Sequence, residues 1–301
     1  MQQYLDQFHI GHAAGLIGES GFQNPIDAAK MGLIRNVHID INVDAESRSL
    51  RIRDRGTTGM HHCAECEWGV LYDGHGNEIG NCNNYSNCPW SAFHSLAQIG
   101  KRETSLGSRG MGKSLAALAG EGGIILRTKI ATEDGSHVSM ASFFRPTAAG
   151  VGGWAWGLIE DEAWGESEEP GTEIEILELK SELIDVFAYP DKLVKEYVLP
   201  YWFPAIQQGV TMDLRVKGER TIKIGSKMTE KMFPPFDDKK SYGKIPVKMK
   251  QKKVGDVTNF NLHLAKDGVE EQLQGIAIIK GGKQVIKRIT NFGRAIDGDL
   301  Q

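Results

Sequence analysis

The sequence predicts an α/β protein, and three observations predict it. Strand-like alternation of apolar and polar residues recurs at His38-Ile-Asp-Ile-Asn-Val43, Leu50-Arg-Ile-Arg53, 124–130, 137–144 and 170–179. Helix-like stretches at 19–31, 91–100 and 114–119 interleave with those runs. Glycine-rich segments then sit where a strand ends, Asp54-Arg-Gly-Thr-Thr-Gly-Met60, and where a helix begins, Ser105-Leu-Gly-Ser-Arg-Gly-Met-Gly-Lys113.

Composition narrows the class. A hydrophobic fraction of 40% with 25% charged residues describes a globular protein and excludes a disordered one. With 35 Lys and Arg against 39 Asp and Glu, the net charge of −4 advertises no global nucleic-acid surface, so a basic patch must be local. The first residues lack the basic start and apolar core of a signal peptide, and no apolar run reaches the ~20 residues that span a bilayer. The expectation is a cytoplasmic protein with no membrane partner.

Taken in order, residues 1–18 read as an N-terminal arm leading into a helix over 19–31, with Phe22, Ile26 and Ala29 on one face and Gly32 as its end. Asn24 and Asp27 lie three apart, so both side chains can point into one site. Pro25 sits awkwardly in that helix, because its ring clashes one turn back. Either the helix begins at Asn24 as an N-cap with Pro25 in the first turn, or it is kinked there.

Asp54 presents a carboxylate at the mouth of a glycine loop, where a ligand's exocyclic amine could donate to it; taken alone, an acid and glycine after a strand are more often a hairpin turn. The loop ending at Lys113 runs into a helix, so its backbone N–H groups and the helix's positive end suit a phosphate. It is neither a Walker A loop nor a dinucleotide fingerprint, since the Lys spacing is wrong and no strand feeds it. Residues 160–169 are an acidic loop, and Gly171-Thr172 opens the strand that follows. Beyond residue 180 come a helix over 192–198, a proline-rich junction over 199–204, and strand-like pieces at 211–216, 221–224, 244–249, 258–264 and 275–279. A lysine-rich run over 239–253 reads as a solvated face or a local phosphate or nucleic-acid contact.

Cys63, Cys66, Cys82 and Cys88, the chain's four cysteines, share one window. The Cys-x-x-Cys pair and the looser second pair resemble a tetrahedral zinc site, with His61, His62 and His75 as spare ligands; the alternative is a set of free thiols.

Four pieces in a fixed order carry a resemblance. Asn24-Pro-Ile-Asp27-Ala28 resembles the Asn-x-x-Asp-Ala helix of the GHKL ATPases, the superfamily of gyrase B, the ninety-kilodalton heat-shock chaperone, histidine kinases and MutL. Asp54-Arg-Gly56-Thr-Thr-Gly59-Met60 is similar to its Asp-x-Gly-x-Gly motif with one residue inserted. Gly107-Ser-Arg109-Gly110-Met111-Gly112-Lys113 resembles its ATP-lid motif, and Gly171-Thr172 its final Gly-Thr. The match covers about residues 15–180, and MORC-like or chaperone-like members with a transducer domain are the nearest in kind.

The resemblance implies a two-layer α/β sandwich of the Bergerat type at 1–185, with the cysteine-rich insert at 61–90, and a smaller α+β transducer-like domain at 186–301. It implies ATP with Mg2+ as ligands. Asn24 would coordinate the metal and phosphates, Asp27 would share that helix face, and Asp54 would take the adenine amine. Gly56, Gly59 and Met60 would line the base pocket, Gly107, Arg109, Gly110, Met111, Gly112 and Lys113 would wrap the phosphates, and Thr172 would support Asp54. Lys280 or Lys283 would stand where a transducer lysine reaches the γ-phosphate. The function implied is an ATPase that acts as an ATP-gated switch, homodimerising through this domain and acting on a protein partner, an additional effector region or DNA.

One departure bears on turnover. Hydrolysing members carry a Glu one helical turn before the Asn as general base, but here that position is Ser20 and the acid is Glu19. In an α-helix five residues leave two side chains about 140° apart instead of about 40°. If Pro25 or Gly21 distorts the turn, Glu19 reaches; if not, the chain is a nucleotide-sensing module without significant turnover.

Overall fold

The computed structural model describes residues 2–28, 37–60, 89–94, 112–131, 137–146, 154–159, 164, 169–230, 279–280 and 283–284. Eight strands build one sheet: β1 His38–Asp44, β2 Ser49–Arg55, β3 Gly120–Ala131, β4 His137–Pro146, β5 Trp154–Ile159, β6 Gly171–Leu179, β7 Thr211–Val216 and β8 Ile222–Ile224. Their order is β5-β4-β3-β6-β2-β1-β7-β8. All neighbours run antiparallel except β1 and β7, which pair in parallel. A separate short hairpin joins β9 Ile279–Lys280 to β10 Lys283–Gln284, with Lys280 and Lys283 as register partners.

Alternation decides which face is covered. Ile39, Ile41 and Val43 of β1 are in register with Asp54, Ile52 and Leu50 of β2, and Ile52 and Leu50 with Ile174 and Ile176 of β6. These residues are buried and form one apolar face with Ile124, Leu126, Met212 and Leu214. Because side chains alternate along a strand, Arg51, Arg53, Arg55, Arg127, Glu173 and Glu175 point the other way. Among the described residues, helices pack on the apolar face, giving a mixed α/β sandwich. They are α1 Gln2–Leu16, α2 Asn24–Ala28, α3 Pro89–His94, α4 Gly112–Ala119, α5 Ser181–Phe187, α6 Pro190–Leu193, α7 Leu199–Gln207 and α8 Ser226–Glu230. No helix among the described residues is long and apolar enough to cross a membrane.

The helical layer departs from the sequence expectation in two places for one reason. Residues 2–28 are continuous helix, not an arm and a later start: a π-helical turn, Ile17–Gln23, joins α1 to α2. Asn24 has φ −64° and ψ −47°, inside the helix and not at an N-cap. Residues 199–204 are likewise helix, entered through a second π-turn, Val194–Val198. Each π-turn runs up to an X-Pro pair, Asn24-Pro25 and Leu199-Pro200, and in each X donates to the carbonyl five residues back. Proline has no N–H to give and its ring strikes the carbonyl four residues back. A widened turn removes that clash, so the helix continues where the prolines suggested an end.

The expected domain boundary at 185–186 falls within α5, and the sheet runs past it into β7 and β8. The His38 and Thr211 ends of β1 and β7 are tied side by side, with Thr211 N–H donating to the Val37 carbonyl at 3.1 Å. Residues 186–224, assigned by sequence to the second unit, thus contribute strands to the first unit's sheet and Leu193, Val198, Trp202 and Ile206 to its core.

Candidate functional site

The π-turn sets the relative placement of Glu19 and Asn24. The Asn24 N–H donates to the Glu19 carbonyl, the i→i+5 bond that defines a π-helix. Residues five apart therefore stand one turn apart here, so the extra residue between Glu19 and Asn24 is absorbed and the two share a face. The turn is held from both sides. Phe22 stacks on Trp202 of α7, with ring centroids 5.0 Å apart and planes 16° from parallel. Gly18 and Gly21 face inward, where a Cβ on Gly18 would lie 3.3 Å from Trp202 Nε1 and one on Gly21 3.6 Å from Ile39 Cγ2. Gln23 Nε2 donates to Glu19 Oε2 at 2.6 Å. Glu19 and Asn24 are half-buried, and Asp27 follows on α2.

Asp54 ends β2 on the same face of the sheet. Its register partner is Ile39, the residue on which Gly21 packs. The carboxyl is buried and accepts hydrogen bonds from Thr57 Oγ1 and from the backbone N–H of Thr172. Burial pushes its pKa up to about 7, outweighing those two donors and the Arg53 charge, which pull it down. The site is thus a buried acceptor on the edge between neutral and charged.

Two glycines let the loop after β2 lie across the strand ends. A Cβ on Gly171 would stand 2.0 Å from the Asp54 carbonyl oxygen, and one on Gly59, at φ +68°, 2.2 Å from the Lys129 carbonyl oxygen. Gly56 also has positive φ, +77°. The loop is fastened by Thr128 of β3, the register partner of Thr172: its Oγ1 accepts from Met60 N–H at 2.6 Å and donates to the Gly171 carbonyl at 3.2 Å. Gly59, Met60, Gly171 and Thr172 therefore converge around Asp54. Sequence reading missed Thr57 and Thr128. The hydroxyl three residues after an acid at a turn was a usable signal for Thr57, whereas Thr128 is identified only by the β3–β6 register.

At the other end, Lys113 enters the first turn of α4 and is buried, 8% exposed. Burial lowers its pKa to about 8, and its ammonium lies 5.9 Å from the Phe93 ring centroid. Helix α4 is tied to α1 by His12 Nε2 donating to the Leu115 carbonyl at 3.0 Å. Gly112 begins that helix; Gly107, Arg109, Gly110 and Met111 lie outside the described residues, as do Cys63, Cys66, Cys82 and Cys88.

The sheet's opposite face carries a separate cleft of about 500 Å³ where Arg51, Arg53, Arg55 and Arg215 meet Asp40, Glu169 and Glu173. Many of its charges are paired: Arg51 with Glu175 at 2.9 Å, Arg127 with Glu173 and Glu175 at 2.7 Å, Arg55 with Asp40 at 2.6 Å. Arg215 bridges Asp40 and Asp213, and the Arg53 guanidinium lies 4.5 Å over the Trp164 ring. Burial pushes the Asp40 carboxyl up, but the Arg215 hydrogen bond and the charges of Arg55 and His38 hold it below the usual carboxylate range. His38, Asp40 and Asp213 offer three ligand atoms within 4.8 Å, yet both Asp40 oxygens already hold guanidinium groups. This face is a cross-strand ion lattice.

No protein-family model and no curated protein sequence matches the chain. Among solved structures it is similar to the ATPase region of Saccharomyces cerevisiae topoisomerase II bound to ICRF-187 (dexrazoxane), at 13% identity and a TM-score of 0.38, over 70% of this chain and 49% of that one. A second structure of the same region gives 13% identity and a TM-score of 0.36, over 67% and 48%. The chain spans about half the length of the topoisomerase chains it matches.

Proposed function

We propose that this chain is a GHKL-type ATP-binding protein that hydrolyses ATP and uses the nucleotide to gate dimerisation. The observation that supports the reading is the π-turn, in which the Asn24 N–H bonds to the Glu19 carbonyl five residues back. Support at the base end comes from Asp54, a buried acceptor ringed by Gly59, Met60, Gly171 and Thr172.

In this reading the adenine amine donates to Asp54, whose orientation is fixed by Thr57 and by the Thr172 backbone. Loss of either donor leaves the carboxyl free to turn from the base. At the phosphate end, Lys113 and the first N–H groups of α4 face the anion, and an incoming triphosphate favours the charged form of a lysine that burial disfavours. Asn24, an oxygen donor, is the residue to hold Mg2+, which supplies charge neutralisation on the phosphate oxygens. Glu19 accepts a proton from water as the water oxygen bonds to the γ-phosphorus. The bond from that phosphorus to the β,γ-bridging oxygen breaks, and ADP and inorganic phosphate leave. The switch acts on a protein partner or DNA through the region beyond residue 230 or through another subunit.

The test has two readouts, equilibrium ATP binding and steady-state phosphate release. Asp54→Asn should lose binding, and Glu19→Ala should bind ATP while releasing phosphate at least about a hundredfold more slowly, as expected for loss of a general base. Unimpaired binding by Asp54→Asn sinks the nucleotide site. Binding without any phosphate release by the wild type sinks the hydrolysis and leaves a nucleotide sensor.

A further inference from the structure

We propose that Gln23 is the positioning residue for Glu19, its side-chain amide fixing the direction in which the carboxylate faces. The inference rests on the hydrolytic reading above. Gln23 is buried, 6% exposed, on a turn clamped by the Phe22–Trp202 stack, so its amide cannot swing away. Its Nε2 donates to Glu19 Oε2 at 2.6 Å, a short, direct hydrogen bond.

The backbone explains why this residue holds that role. A π-turn repeats after roughly four to five residues. The residues at i+4 and i+5 then flank residue i on either side, and here they are Gln23 and Asn24. In a regular α-helix, Gln23 would stand over Glu19 and Asn24 would be carried round to the next face. The π-turn thus assembles a triplet: Gln23 orients, Glu19 accepts the proton, Asn24 faces the ligand. A carboxylate offers about four lone-pair sites, of which the Gln23 amide takes one, on Oε2. An amide also suits the task better than a cation. A Lys or Arg at position 23 would favour the ionised carboxylate strongly and weaken it as a base, whereas a neutral donor aims it with a smaller penalty.

The experiment uses the full chain with Gln23→Met, which keeps shape and burial and removes the donor. ATP affinity and KM should stay within about twofold of wild type, and kcat should fall about tenfold, less than the roughly hundredfold or more expected for loss of the base itself. The Glu19 carboxyl 13C resonance, assigned by its loss in Glu19→Gln, should move in Gln23→Met. Wild-type kcat in a Gln23→Met protein that binds ATP overturns the proposal, as does a fall in affinity and kcat together. If the wild type binds ATP and releases no phosphate, the hydrolytic reading has failed separately. The carboxyl resonance then decides: unmoved in Gln23→Met, it overturns the positioning role, and moved, it upholds it. Should Gln23→Met not fold, Gln23→Glu, which replaces the donor with an acceptor, is read in the same way.

Discussion

Gly171 packs directly on Asp54: a Cβ added to Gly171 would sit 2.0 Å from the Asp54 carbonyl oxygen and 3.4 Å from its Oδ1. The obstructing atom is backbone, in a strand hydrogen-bonded on both sides, so nothing can step aside cheaply. Gly171→Ala should destabilise the fold by about 3 kcal/mol, the upper range for overpacking, and chemical denaturation measures it. An Ala variant as stable as wild type would mean that β2 and β6 are further apart than described.

The Asp54 carboxyl gives stability a distinctive pH dependence. Its folded pKa, about 7, lies above the ordinary value of 3.8, so between those values the folded chain holds a proton that the unfolded chain releases. That contribution is fully present below pH 3.8 and is lost as pH rises through about 7, at up to about 1.4 kcal/mol per unit. The Tm difference between wild type and Asp54→Asn should therefore decline from pH 5 to about 7.5 and then level off. Thr57→Val removes a donor to the charged form, so the levelling should move to higher pH.

Lys113 works in the opposite direction. Burial lowers its pKa from 10.5 to about 8, so at neutral pH the folded chain carries a charge at a cost, and the cost disappears as pH rises from about 8 towards 10.5. Lys113→Met should raise stability at pH 7 by about 2 kcal/mol and remove this alkaline gain. The same variant should weaken ATP binding about tenfold, the size of one charge-assisted contact. Calorimetry checks the first and a binding titration the second; a stabilised protein with unchanged affinity would remove Lys113 from the phosphate end.

Dimerisation on nucleotide is checked by light scattering with a non-hydrolysable ATP analogue. The mass should double from that of the 33.2 kDa chain, and Asp54→Asn should stay monomeric. A wild type that remains monomeric with the analogue bound removes the gating step from the proposal.

The cysteine spacing predicts about one zinc per chain, held by Cys63, Cys66, Cys82 and Cys88. Atomic absorption on protein purified without chelator should find it, and Cys63→Ser with Cys66→Ser should lose it. A metal-free wild type leaves four thiols and no zinc site.

The sheet was largely legible. Strands at 38–43, 50–53, 124–130, 137–144, 170–179, 211–216 and 221–224 correspond to β1 to β4 and β6 to β8, because a strand with one buried face writes its alternation into the sequence. Gly59 was legible as part of a loop that allows close approach, whereas Gly171 was legible only as the opening of a strand. Pro25 and the 199–204 prolines were read as interruptions because proline marks a break by itself, and only a neighbouring turn can absorb it.

By itself, the sequence determined which residues could carry chemistry: an acid at a glycine loop, an Asn and Asp on one helix, a lysine opening another, and a Glu one residue too far. Tertiary structure alone decided that a π-turn lies between Glu19 and Asn24. The stacking of Phe22 on Trp202, and the close fit of Gly18 and Gly21 against Trp202 and Ile39, reward a widened turn that local propensity would not choose. Packing energy, summed over contacts distant in the chain, sets a helix's register more firmly than any spacing within it.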